Sequence, residues 1–71
     1  MKINVNDYRS NEIIKMIREY KGKTQNEFGK DFKLTRSAIQ NYEYGYRNYN
    51  LEFLQKVCKK YDLVITISSK K

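Results

Sequence analysis

The 71 residues of the chain include one cysteine and no histidine, so neither a disulfide within the chain nor a structural zinc site can stabilise the fold. A lone cysteine cannot close a disulfide within the chain, and by itself it cannot hold a structural zinc ion. Such links are the usual supports of very small folds, since a single core of this size buries barely enough surface to hold itself together. We therefore expect one domain over residues 1–71, stabilised by helix packing or by dimerisation.

The lack of histidine also excludes several kinds of chemistry. The chain has no imidazole acid or base and no Cys-His or Ser-His pair, and its three glycines form no phosphate-binding loop. We therefore expect no enzyme activity, no cofactor, no metal site and no small-molecule ligand. No apolar run approaches the roughly 18 residues that cross a bilayer, and the first residues lack the apolar segment of a signal peptide. We expect a cytoplasmic protein with no membrane partner.

The balance of charge points to a polyanionic partner. Fifteen lysine and arginine residues against eight aspartate and glutamate residues give a net charge of +7. A positive surface attracts phosphate groups through long-range electrostatics, so nucleic acid is the first partner to consider.

Hydrophobic residues recur at three- and four-residue spacing in four segments, which predicts four helices. This spacing places Tyr20 on the apolar face of the first helix and Leu51 on that of the fourth. In the second segment, Thr24 and Glu27 have the spacing of a capping box, in which each side chain satisfies a backbone donor. The predicted helices are approximately residues 10–21, 24–32, 35–44 and 50–61.

The third predicted helix has two chemically different faces. At about 100° per residue, Ala38, Ile39 and Tyr42 fall on an apolar side that can pack on the core. The opposite side is polar and covers an arc of about 140°. Its residues are Arg36, Ser37, Gln40 and Asn41. By itself such a face is an ordinary solvated surface, so its function depends on the surrounding motif.

Residues 63–68 are mostly β-branched and alternate along the chain, which predicts a strand rather than a fifth helix. Leu63, Ile65 and Ile67 form one apolar side of this strand. A single strand is not stable alone. Its partner is either the segment of residues 2–5 in the same chain or the same strand of a second chain.

Two short helices joined by a tight turn, the second of them amphipathic, form a helix-turn-helix arrangement at about residues 24–43. With this motif, residues 13–61 resemble the lambda-repressor-like domains of phage Cro and repressor proteins and of the XRE-type bacterial regulators. The resemblance implies a mainly α, four-helix DNA-binding domain, here with a short C-terminal β-strand. The segments that carry the resemblance are Ile17-Arg18-Glu19, Thr24-Gln25-Asn26-Glu27-Phe28-Gly29, Leu34-Thr35-Arg36-Ser37-Ala38-Ile39, Tyr42-Glu43-Tyr44-Gly45 and Leu51-Glu52-Phe53-Leu54.

Two departures from the family pattern affect the expected structure. Lys33 stands in the turn where the family usually has a glycine with positive φ. The predicted strand replaces the family's fifth helix, as in the Cro-like members that dimerise through strands. We therefore expect Leu63, Ile65 and Ile67 to mediate dimerisation, with the fourth helix and its preceding loop as the alternative.

The resemblance also implies which residues contact DNA. The polar face of the third helix enters the major groove, where arginine binds guanine and glutamine or asparagine binds adenine. Gln25 holds a phosphate or braces a base-reading side chain, and the loop after the third helix meets phosphate. The expected DNA-binding residues are Gln25, Thr35, Arg36, Ser37, Gln40, Asn41, Tyr46, Arg47 and Asn48. For Tyr44, Tyr46 and Tyr49, packing against the fourth helix or a second subunit is an equal alternative.

Three further residues receive structural interpretations. Arg18 and Glu43 stand where family members often carry a partly buried ion pair; the alternative is that Arg18 binds phosphate and Glu43 faces water. Cys58 lies on the apolar side of the fourth helix, which indicates a buried small hydrophobic residue rather than a redox sensor.

The expected function is sequence-specific regulation of transcription. The chain would bind an approximately palindromic operator in double-stranded DNA as a homodimer, and it would repress by occupying a promoter in a phage, prophage or other mobile element. Two alternatives remain open. One is an antitoxin or antirepressor-type module that uses the same fold to bind a protein, and the other is a binder of nucleic acid without sequence preference.

Overall fold

The computed structural model describes residues 2–66 and has a mainly α fold. The four predicted helices and the C-terminal strand are confirmed, and a second short strand lies near the start. The elements are β1 (Lys2–Asn4), α1 (Ser10–Tyr20), α2 (Gln25–Asp31), α3 (Arg36–Tyr44), α4 (Leu51–Tyr61) and β2 (Val64–Thr66). The end of the predicted strand, including Ile67, lies outside the described residues.

Polar side chains fix the start of the last three helices. The backbone N–H of Glu27 donates to the Thr24 hydroxyl at 3.1 Å, and the Thr24 N–H donates to the Glu27 carboxylate at 2.9 Å, which confirms the predicted capping box. The bond from the Thr24 N–H favours the ionised carboxylate and lowers the pKa of Glu27. Thr35 and Asn50 cap α3 and α4 through their side-chain oxygens. Each cap satisfies a backbone donor that the first helical turn leaves unpaired.

The turn between α2 and α3 requires a left-handed residue, and that residue is a lysine. Lys33 has φ of +58°. The following N–H, from Leu34, donates to the Gly29 carbonyl at 2.8 Å, and the Lys33 N–H donates to the Lys30 carbonyl at 3.3 Å. These two bonds form a Schellman motif, which stops α2 and turns the chain into α3. The turn therefore keeps the geometry of a helix-turn-helix although it lacks glycine.

The hydrophobic faces of the four helices meet in one core. Its largest fully buried side chains are Ile14, Ile17, Phe28, Ile39 and Val57. Two residues that helical spacing places on apolar faces are exposed instead, Tyr20 at 57% and Leu51 at 65%. Each lies at an end of its helix, where the neighbouring helices no longer cover it.

Aromatic rings connect α2, α3, α4 and the loop before α4. Phe32 contacts Phe53 at 5.6 Å between ring centroids, and Phe53 contacts Tyr42 and Tyr49 at 5.6 and 5.7 Å. The Tyr49 hydroxyl donates to the Ser10 carbonyl of α1 at 2.5 Å. Burial raises the pKa of Tyr49 to about 12. Tyr49 is therefore half-buried against the core and anchors the loop that follows α3.

The two short strands form a parallel pair, in which Ile3 lies opposite Ile65. The C-terminal strand thus pairs within its own chain, which is the first of the two predicted alternatives. Ile3 is buried, while Leu63 and Ile65 are half-buried against the core. The pair therefore extends the core beyond the end of α4.

Close packing of α2 on α3 depends on Gly29. A Cβ atom at this position would lie 2.6 Å from the Leu34 carbonyl oxygen and 3.3 Å from that of Thr35. Both neighbours are backbone atoms of the turn, so they cannot move aside as a flexible side chain would. Any residue larger than glycine at position 29 would therefore push the turn away from α2.

We expect Gly29→Ala to lower the free energy of unfolding by about 1–3 kcal/mol, because the added methyl group overpacks the turn. This sign is opposite to the usual effect of alanine for glycine inside a helix, which stabilises by about 0.5–1 kcal/mol. Urea denaturation followed by circular dichroism measures the change. Lys30→Ala, at the exposed neighbouring position, is the control and should change stability little. A Gly29→Ala variant as stable as the parent would contradict the close approach.

Candidate nucleic-acid interface

Helix α3 presents a polar face to solvent because its apolar face is held in the core. Ile39 is fully buried, and Ala38 and Tyr42 are half-buried. Arg36 and Ser37 are exposed on the other side. The predicted division of this helix into an inner and an outer face therefore matches the burial of its residues.

The outer face of α3 carries side chains that are not committed to the protein. It consists of Arg36, Ser37, Gln40 and Asn41, of which the last two are half-buried. Within residues 2–66, these four side chains make no hydrogen bond or ion pair. Their donors and acceptors are therefore available to a ligand, and a row of such groups on one helix suits the base edges of a DNA groove.

The start of α2 is tied to the end of α3 through Gln25. The Gln25 Nε2 atom donates to the Glu43 Oε1 atom at 3.3 Å. A side-chain amide nitrogen carries two hydrogens, so one remains for a further acceptor such as a phosphate oxygen. Gln25 is therefore held by the protein at one hydrogen while the other stays available beside the outer face of α3.

Arg18 and Glu43 form an ion pair between α1 and α3. The Arg18 Nε and Nη2 atoms donate to the two carboxylate oxygens of Glu43 at 2.6 and 3.0 Å, and Nη1 donates to the Lys23 carbonyl at 2.8 Å. The side chains are 14% and 2% exposed. The hydrogen bonds to Glu43 raise the pKa of Arg18. One guanidinium thus joins α1, the α1–α2 loop and α3, so this cluster fixes the position of α3 relative to α1.

The loop after α3 remains largely open to solvent. Tyr46 is 81% exposed, and Arg47 and Asn48 are also exposed. The Tyr46 and Arg47 N–H groups donate to the Asn41 carbonyl at 3.0 and 3.3 Å, which fixes the loop to the end of α3. Tyr44 is exposed and its ring contacts that of Tyr46. The structure therefore separates the three tyrosines into one half-buried anchor, Tyr49, and two exposed residues, of which Tyr44 is the last residue of α3.

Thr35 lies at the junction of the turn and α3. Its hydroxyl accepts the N–H of Ala38 at 3.1 Å, so the side chain is used as a cap, while the residue is exposed. Thr35 therefore has a structural role as the N-cap of α3, and a contact with DNA would be a second role.

A groove of about 400 Å³ separates the loop from α4. Arg47, Asn48 and Asn50 line it from the loop, and Lys56 lines it from α4. Its base includes the aromatic rings that anchor the loop. The groove thus places polar groups of the loop beside the ammonium group of α4.

A second, apolar groove of about 410 Å³ lies on the opposite edge of α4. Its lining includes Leu51 and Cys58 from α4, and Leu63 and Ile65 beside them. Burial raises the pKa of the Cys58 thiol, in keeping with a small hydrophobic residue. Two of the three residues predicted to mediate dimerisation therefore line this groove, and the third, Ile67, lies outside the described residues.

Sequence reasoning missed a polar cluster between α2 and α4. The Asp31 carboxylate is bound by the Lys23 ammonium group and by the Tyr61 hydroxyl, the latter at 2.6 Å. The Lys23 contact, followed by that of Tyr61, lowers the pKa of Asp31. Lys60 donates to the Asp31 carbonyl at 3.1 Å. Tyr61 has the helical spacing of a core residue, so only the alignment of α2 with α4 reveals its polar contact.

No helix within residues 2–66 has the length and hydropathy of a membrane span. The same part of the chain holds no cluster of three or more residues of the types that bind metal ions.

The capped helices, the tight turn and the outward polar face of α3 define a helix-turn-helix domain. The model of a family described as helix-turn-helix matches residues 14–64. The chain therefore belongs to this family, the lambda-repressor-like or XRE-type helix-turn-helix proteins, and it is a DNA-binding transcriptional regulator. No curated protein and no solved structure gives a match to the chain.

Proposed function

We propose that the chain is a Cro-like repressor, a single domain over residues 1–71 that binds an approximately palindromic operator as a homodimer. It acts in the cytoplasm, where it blocks a promoter of a phage, prophage or other mobile element. The face of α3 reads bases in the major groove. No cofactor, metal ion or small ligand takes part in this mechanism.

The observation that carries the proposal is the outer face of α3. Arg36 is exposed at the first turn, and Gln40 and Asn41 follow one turn later on the same side. Arginine binds the O6 and N7 atoms of guanine with two hydrogen bonds, while glutamine and asparagine bind the N6 and N7 atoms of adenine. A face with these donors can distinguish base pairs, which a general positive surface cannot do.

Contacts to phosphate would hold this helix in the groove. Gln25 supplies an amide hydrogen at the start of α2, and Thr35 lies at the start of α3. Tyr46, Arg47 and Asn48 supply exposed donors from the loop after α3. Donors at both ends of α3 are the arrangement expected of a helix that lies between two phosphate backbones.

The apolar groove beside α4 supports a homodimer. Leu51 is 65% exposed, and Leu63 and Ile65 continue the same apolar lining. A symmetric dimer uses the same surface on both subunits. Such contacts would hold two recognition helices about 34 Å apart, which is one turn of DNA.

Selection of bound duplexes from a random pool, followed by competition gel shifts, tests this function. A specific regulator should prefer its selected site over random duplex by about 10³-fold or more. A binder without sequence preference gives a ratio near one. If the protein binds no duplex but binds a defined protein partner, the result would instead support the antitoxin or antirepressor alternative.

Alanine at Gln40 or Asn41 should weaken binding to the selected site by about 1–3 kcal/mol each, because each change deletes hydrogen bonds to a base edge. Arg36→Ala should do the same. The folded stability should not change, since these side chains make no polar contact within residues 2–66. Gel shifts with matched and mismatched sites measure the loss. Asn26→Ala, an exposed amide on α2, is the control.

Full operator affinity in all three variants, together with a footprint that places another surface in the groove, would refute the proposed reading face.

A further inference from the structure

A narrow groove of about 240 Å³ runs between the end of α2 and the outer side of α4. Its walls carry three lysines, Lys33 from the turn and Lys56 and Lys60 from α4, with Asp31 and Phe32 beside them. The Lys60 Nζ atom lies 5.7 Å from the centre of the Phe32 ring. Three ammonium groups on one small concave surface attract an anion more strongly than scattered surface lysines do.

The one acidic residue in this groove is already neutralised. Asp31 accepts hydrogen bonds from the Lys23 ammonium group and from the Tyr61 hydroxyl. Lys23 and Tyr61 do not line the groove. The charge of Asp31 is therefore balanced from outside the groove, and the three lysines of the groove keep a net positive field.

Lys33 occupies its place at a conformational cost. It has φ of +58°, a region in which glycine carries no steric penalty and a lysine does. Strain of this kind persists where the residue type serves another purpose. Lys33 is exposed, so core packing does not account for it. What lysine adds at this position is a positive charge at the mouth of the groove.

The lysine groove adjoins the groove beside the loop after α3. Phe32 and Lys56 line both this groove and the larger one beside Arg47 and Asn48. We refer to the two adjoining grooves together as the channel.

We propose that this channel binds phosphate groups of operator DNA outside the base pairs read by α3. The inference rests on the proposed function and extends its footprint along the DNA backbone. Lysine binds phosphate as a point charge without regard to base sequence. The channel thus adds affinity and salt dependence, while α3 supplies the sequence preference.

The test uses a Lys33→Gly/Lys56→Gln double variant. Glycine in place of Lys33 relieves the backbone strain at this position, so the double variant should be at least as stable as the parent. Lys15→Gln/Lys30→Gln is the control, because it removes the same charge from residues outside the channel. Each phosphate contact contributes about 0.9 to the slope of log affinity against log salt concentration. The channel variant should therefore lose about two units of slope for each subunit, or about four for the proposed dimer, and the control should lose much less.

Three further measurements make the outcome decisive. Lys33→Arg, which keeps the charge and the strain, should retain the parental slope. The ratio of operator to random-duplex affinity should stay constant in the double variant. Parental protein should bind a selected operator with extra flanking base pairs more tightly than the minimal operator, and the double variant should lose this gain.

The outcomes separate this inference from the proposed function. Parental protein without preference for any selected duplex would defeat the proposed function itself. Specific parental binding combined with equal slopes for the channel and control variants would overturn the channel alone. Binding of an oligoglutamate peptide that the double variant loses, with unchanged DNA slope, would also overturn it, since the channel would then serve protein carboxylates.

Discussion

Replacement of Arg18 by alanine should lower the free energy of unfolding by about 3–5 kcal/mol, because it leaves the buried carboxylate of Glu43 without its cation. The Lys23 carbonyl would lose its donor in the same variant. A loss of this size is a large part of the roughly 5–15 kcal/mol that stabilises a typical domain. Urea denaturation followed by circular dichroism should show a transition at much lower denaturant concentration.

Two comparisons identify the cause of that loss. Arg36→Ala removes an exposed arginine and should leave stability nearly unchanged. An Arg18→Met/Glu43→Leu double variant removes both charges and should recover much of the stability, since the penalty comes from one unpaired buried charge. If Arg18→Ala costs no more than Arg36→Ala, the ion pair does not hold α1 to α3.

A Leu51→Asp variant should be monomeric and should lose about 10²–10⁴-fold in operator affinity, because one subunit then loses the linked second half-site. Leu51 is exposed in the apolar groove and is not part of the core, so the variant should fold normally. Sedimentation gives the oligomeric state and gel shifts give the affinity. A folded Leu51→Asp protein that dimerises as strongly as its parent would rule out this groove as the interface.

The strand side of the same interface has its own test. Ile65→Asp should also produce a monomer, and because Ile65 packs against the core, its stability must be measured alongside. Val64→Asp is the matched change on the exposed face of β2 and should leave the dimer intact. Loss of the dimer in Ile65→Asp but not in Leu51→Asp would assign the contact to the strand alone.

Much of the fold could be predicted because its signals are local. Thr24 and Glu27 are three residues apart, and their bonds close within a single helical turn. The inner and outer faces of α3 follow from the period of the helix. Polar spacing on such a helix could therefore identify the outer face, and the resemblance to the helix-turn-helix family then made it the candidate DNA face.

The remaining features depend on how distant segments meet. Alternation in residues 63–68 marks an apolar side of a strand, but it does not specify which strand will pair with it. The exposure of Leu51 depends on where neighbouring elements end, which helical spacing does not encode. The channel likewise brings together Lys33, from the turn after α2, and Lys56, from α4. The strand pairing, the exposure of Leu51 and the channel could therefore be recognised only from the tertiary structure.

The pairing of β1 with β2 has a consequence for the order of folding. Its partners, such as Ile3 and Ile65, come from opposite ends of the described chain, whereas each helix and the helix-turn-helix close over short separations. Contacts of long sequence separation carry the larger loop-closure cost and tend to form late. Ile65 belongs to this late pair and also lines the apolar groove. Helix α3 can thus be in place before the apolar groove is complete. In the proposed dimer, assembly would then be the last step, and it would be the first to be lost when the strands separate.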